Sequence, residues 1–65
     1  MKRRDLVRHL EKFGCALLRE GNRHTLFVHR AKKKSSTVPR HNEINDNLAV
    51  KICKDLNIPK PDSIH

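Results

Sequence analysis

The order of hydrophobic patterns along the chain predicts an α+β fold, with two helices packed on one face of a three-stranded antiparallel sheet. Three observations carry this. Apolar residues recur at helical spacing near both ends of the chain. Between them, two short runs of strand formers are joined by Gly21-Asn22, turn chemistry that reads as a hairpin. A third short run ends at Pro39, which suits the end or edge of a strand because proline cannot donate to a ladder. Each helix has one apolar stripe to bury, and packing both on the same sheet face is the economical solution.

The first helix is read from "RRDLVRHLEKFG", where Leu6, Val7, Leu10 and Phe13 fall at helical spacing with charges between them. Gly14 stands where a helix closes in a left-handed conformation, which costs glycine least. "CALLRE" is an apolar run of strand length, and "HTLFVH" contains the strand formers Thr25, Phe27 and Val28. "RAKKKSS" has no apolar periodicity and reads as an exposed basic loop. "STVP" is the third strand, and "RHNEI" leads onward. In "NDNLAVKICKDLNIP", Leu48, Ala49, Ile52, Cys53 and Leu56 share one helical stripe. Asn45 is placed to cap that helix and Asp46 favours its first turn, while Pro59 cannot continue it. Residues 59–65 read as a flexible tail, and residues 1–65 as a single domain with no repeat or linker.

A chain of 65 residues that is 35% hydrophobic, with Phe13 and Phe27 as its only aromatics, has a thin core. At this size folding buries only about 60% of the unfolded surface, so marginal stability is expected. Fifteen Lys and Arg against seven Asp and Glu give a net charge of +8. That balance points to a polyanionic partner: nucleic acid, an anionic membrane or an acidic protein. No apolar run approaches the roughly 20 residues that span a bilayer, so a membrane is the weakest of the three. Cys15 and Cys53 lie far apart among apolar neighbours and read as small core residues. With no signal peptide at the start, a cytoplasmic setting is expected.

Two Arg-His pairs stand at strand ends. His24 follows the Gly21-Asn22 turn with Arg23 beside it; His41 follows Arg40 just after the third strand. Imidazole titrates near neutral pH, so His24 suits taking a proton from a ribose 2′-OH or giving one to a leaving 5′-oxygen. Taken alone, an exposed histidine is more often an inert surface residue, and Arg40 and His41 equally fit the start of a plain loop. If the third strand pairs beside the second, the two pairs converge. Arg30, Lys32, Lys33 and Lys34 form a basic segment that could follow a phosphate backbone without reading sequence, or simply stay solvated. The N-terminal "KRR" is a weaker case of the same kind. No metal site is expected: His24 and His29 are an odd number apart on one strand and face opposite ways, and no H-E-x-x-H or paired-cysteine motif exists. Nucleotide-binding loops and the Ser-His-Asp motif are absent too, so no cofactor is expected.

Four features together resemble the HicA-like toxins, small RNA interferases of toxin-antitoxin pairs. They are an opening helix closed by glycine ("LVRHLEKFG"), a G-x-x-H turn (Gly21-Asn22-Arg23-His24), a Val38-Pro39-Arg40-His41 segment, and a closing helix with a Leu/Ile stripe ("NLAVKICKDLNI"). The likeness spans roughly residues 2 to 58. It implies a double-stranded-RNA-binding-domain-like α-β-β-β-α fold, metal-independent mRNA cleavage, a catalytic histidine at His24, and a cognate HicB-like antitoxin as protein partner. Many members of the family have Ser at the place of Asn22 and a second His at the place of Arg23. Here that second acid-base role falls to His41 or to an arginine, with Arg40 supporting. Arg23, Arg30, Lys32, Lys33 and Lys34 are the expected RNA-binding cations.

Two other functions fit the composition. A non-catalytic double-stranded-RNA-binding module needs only the basic surface. A DNA-binding protein is disfavoured because three strands separate the helices, leaving no helix-turn-helix pair.

Overall fold

Leu6 and Leu10, one helical turn apart, face the same way and are fully buried, and helix α1 (Arg3–Lys12) forms around them. The computed structural model describes residues 1–62. Gly14 ends the helix at φ +88°, the left-handed region that an L side chain rarely enters. Space is not the constraint there, since a Cβ would meet only the His29 ring at an ordinary 3.8 Å.

Strands β1 (Cys15–Glu20), β2 (His24–His29) and β3 (Lys34–Pro39) form one antiparallel sheet in the order β1-β2-β3, and helix α2 (Asp46–Asp55) closes the chain. The α-β-β-β-α order is the expected one. Alternation along β2 sends Thr25, Phe27 and His29 into the core and leaves His24 exposed. Helix α2 supplies Ala49, Ile52 and Cys53 to the same core, and its start is capped as expected: Asn45 Oδ1 accepts from the Asn47 N–H at 2.8 Å. Both cysteines are free and buried. Burial pushes the Cys53 thiol up to about 11, with the Cys15 charge adding to the shift. Burial also raises Cys15, while Lys32 opposes the rise.

Three details correct or add to the sequence reading. Strand β3 starts at Lys34 rather than Ser36, so Lys34 belongs to a strand and not to the basic loop. A ladder needs only backbone groups, and the β2–β3 register continues to His29↔Lys34 although Lys34 and Ser35 carry no apolar signal. The apolar run "CALLRE" forms the expected strand β1, of which only Cys15 is covered, while Leu17 and Leu18 are 49% and 53% exposed. β1 is an edge strand, and an irregularity between Leu17 and Arg19 shifts its register against β2. Finally, the tail is docked at its start. His9 Nε2 donates to the Pro59 carbonyl at 2.6 Å, and Pro61 is buried. The remainder of that expectation, residues 63–65, lies outside the described residues.

Candidate active site

His24 is the first residue of β2, directly after the turn Gly21–Arg23. The Gly21 N–H donates to the His24 carbonyl at 2.8 Å. A Cβ on Gly21 would sit 3.0 Å from that same oxygen, so glycine lets the turn close this tightly. Across the ladder His24 pairs with Pro39, the last residue of β3. The Arg40 N–H then donates to the Arg23 carbonyl at 3.2 Å, carrying the alignment one residue past the strand. The two Arg-His segments therefore lie side by side. Asn22, Arg23, His24, Pro39, Arg40 and His41 line one open cleft of about 470 Å³.

Behind this cleft runs a chain of polar contacts that the sequence did not reveal. Arg3, at the start of α1, donates from Nε to the Pro39 carbonyl at 2.8 Å and from Nη2 to Thr25 Oγ1 at 2.9 Å. Thr25, fully buried, donates onward to Glu20 Oε1 at 3.0 Å. Glu20 Oε2 lies 3.4 Å from Arg40 Nη2, and Arg40 Nη1 donates to the Gly21 carbonyl at 3.1 Å. Thr25 carried a usable signal, being a polar residue at an inward position of an alternating strand. Arg3 carried none, because only tertiary packing brings it to a residue 22 positions away.

The basic residues named from the sequence as candidate site or RNA-binding groups lie in two places. Arg23 and Arg40 stand in the cleft with His24 and His41. Arg40 is held in place there by Glu20 and by the Gly21 carbonyl. Arg30, Lys32, Lys33 and Lys34 cluster at the opposite end of the β2–β3 pair. That is five residue steps along β2, roughly 16 Å from His24. There Lys32 Nζ donates to the Asn57 carbonyl, tying the turn to the end of α2. A second open cleft, about 520 Å³, is lined by Lys2, Arg3, Arg4, Asn42 and Glu43, and Asn42 directly follows His41 in the chain.

Among the described residues, no three His, Cys, Asp or Glu side chains are grouped as metal ligands. No helix among them is long and apolar enough to cross a membrane. Chemically, the first cleft offers two imidazoles and two guanidinium groups, a set able to move protons around a phosphate.

Searches of curated proteins and of solved structures each gave no match. A family model described as the HicA toxin of bacterial toxin-antitoxin matches residues 3–58. That match takes in both helices, all three strands and both Arg-His segments, and the chain belongs to the HicA toxin family.

Proposed function

We propose that the chain is a toxin that acts as a metal-independent endoribonuclease, an mRNA interferase, with His24 as a catalytic acid or base. The observation that carries this reading is the convergence of Arg23-His24 and Arg40-His41 on one open cleft. RNA brings its own nucleophile. One imidazole takes the proton from a ribose 2′-OH as its oxygen attacks the adjacent phosphorus, and the other gives a proton to the departing 5′-oxygen. A 2′,3′-cyclic phosphate is left on one fragment and a 5′-hydroxyl on the other. His24 and His41 are the pair for these two roles. Arg23 offers charge to the phosphate as negative charge builds on it. Arg40, held by Glu20 and the Gly21 carbonyl, keeps the turn in place beside it. The expected regulator is a HicB-like antitoxin protein, and the expected setting is the cytoplasm.

The decisive experiment incubates the folded protein and its His24→Ala and His41→Ala variants with a model RNA and analyses the ends produced. Cleavage by the parent with cyclic or 3′-phosphate ends, lost in both variants, supports the reading. Cleavage undiminished in His24→Ala refutes it.

One observation favours a second reading. The cations at the far end of the sheet suit contact with an RNA backbone well away from His24, as a non-catalytic double-stranded-RNA-binding module would use them. Tight binding of duplex RNA with no cleavage by the parent protein would select that alternative.

A further inference from the structure

The ribonuclease reading leaves a mechanical problem. Both histidines sit at the ends of strands, in exposed segments, where a chain this thinly packed is most prone to fray. Proton transfer demands that the groups be held to within about 0.5 Å of their working geometry.

Arg3 meets this requirement from three directions. Its backbone N–H donates to the Asn42 carbonyl at 2.8 Å, and its Nε donates to the Pro39 carbonyl at 2.8 Å. Those two contacts bracket Arg40-His41 at both ends. Its Nη2 holds Thr25, the residue after His24. One side chain and its own amide thus brace both histidine segments at once. The brace is itself anchored, because Thr25 passes the contact to Glu20 and Glu20 to Arg40. Arg3, Thr25 and Glu20 do not line the His24 cleft. The two contacts leave from two different nitrogens of one rigid plane, Nε to Pro39 and Nη2 to Thr25, a fixed spacing that lysine's single ammonium on its flexible stem does not reproduce.

We infer that Arg3 is a positioning residue, which fixes His24 and His41 relative to one another through its contacts to Thr25, Pro39 and Asn42. This rests on the ribonuclease reading above. Arg3 acts on the turnover step and not on the capture of RNA.

The test measures kcat and KM on a model RNA for Arg3→Gln, Arg3→Lys, Thr25→Val and Thr25→Ser, each well below its own unfolding midpoint. Arg3→Gln is expected to lower kcat about ten-fold or more with KM changed less than about two-fold, since small misplacements cost that much. Arg3→Lys keeps the charge but not the fork and is expected to stay impaired. Should Arg3→Gln not fold, the threonine pair decides: Thr25→Val should reproduce the loss of kcat and Thr25→Ser should restore it. Combining Arg3→Gln or Thr25→Val with His24→Ala should cost less than the two separate losses together, because only the share that acts through His41 remains. An unchanged kcat in Arg3→Gln and Thr25→Val overturns the inference. So does full rescue by lysine with the loss confined to KM, which would make Arg3 a phosphate ligand. Losses that add in full to that of His24→Ala also overturn it. A His24→Ala variant that cleaves at the parent rate overturns the role of His24, and a parent protein that cleaves no RNA overturns the ribonuclease reading itself, outcomes read from other proteins than the Arg3 and Thr25 variants.

Discussion

His24 stands opposite Pro39 in the β2–β3 ladder, so the end of one strand fixes where Arg40 and His41 leave the other. Neither histidine is held by the core. His24 is exposed and outside the core, so replacing it should alter chemistry and little else. His24→Ala is expected to unfold at the same temperature as the parent and to cleave RNA more slowly by a factor of roughly 10² or more. Thermal unfolding followed by circular dichroism, together with a cleavage time course, checks both halves.

Much of this arrangement was legible in the sequence because local chemistry agrees with the fold. Leu6 and Leu10 at a four-residue interval, Gly14 after the helix and Asn45 before the next each do what their residue types favour. The odd spacing of His24 and His29 correctly put them on opposite faces. The start of β3 was hidden because backbone pairing, not side-chain pattern, sets it at Lys34. The exposure of Leu17 and Leu18 was hidden because nothing local says that β1 lies at an edge. The brace from Arg3 to Thr25 and Pro39 was out of reach for the same reason: no local rule relates these positions, and only the folded chain brings them together.

The proposed chemistry needs acid-base groups and the RNA's own 2′-OH, so divalent metal is not expected to be a reactant. Cleavage should persist in excess chelator and yield 2′,3′-cyclic phosphate or 3′-phosphate ends. Activity that vanishes with chelator and returns with magnesium would rule out the two-histidine scheme. Mass spectrometry of the fragments reads the ends directly.

The distance between the cleft and the basic turn gives salt dependence a spatial test. Replacing Lys32, Lys33 and Lys34 by Ala is expected to flatten the slope of log affinity against log salt. The change should be at most about 2, the share of three phosphate contacts on a single strand. The groups lie roughly 16 Å from His24, counting strand residues, so the effect should appear with a long RNA and vanish with a dinucleotide substrate. An unchanged slope on the long RNA would show that this end of the sheet does not touch the backbone.

Alkaline stability follows from the buried thiols. Cys53 is raised to about 11 by burial and then by Cys15, from an ordinary value of 9.0. Above pH 9 the unfolded chain gives up the thiol proton while the folded chain keeps it. The unfolded state then binds fewer protons, so stability falls as pH rises. The contribution is whole below pH 9 and is lost progressively up to about pH 11. Cys15, raised in the same direction, adds to the loss. Unfolding midpoints measured across this window should drop more steeply for the parent than for a Cys15→Ala/Cys53→Ala variant. Parallel curves would mean that the thiols do not contribute.

A toxin with this charge and an open cleft must be restrained in its own cell, and its family pairs such toxins with an antitoxin protein. The surface that protein should present follows from what it must cover. Arg23, His24, Arg40 and His41 are all exposed and share one cleft, so acidic groups placed there would match the charge and exclude RNA with a single contact. The arrangement of the brace sharpens the expectation. Arg40 is already paired with Glu20, so the antitoxin's carboxylates should engage Arg23 more strongly than Arg40. Binding to the folded state alone should also raise the unfolding temperature of a domain whose core is this small. Amide hydrogen exchange on the toxin, with and without antitoxin, is the measurement. Protection is expected over residues 21–26 and 38–42, together with a higher unfolding midpoint and blocked cleavage. Protection confined to α2 or to the turn after β2, with cleavage still blocked, would mean that inhibition reaches the histidines by distortion and not by cover.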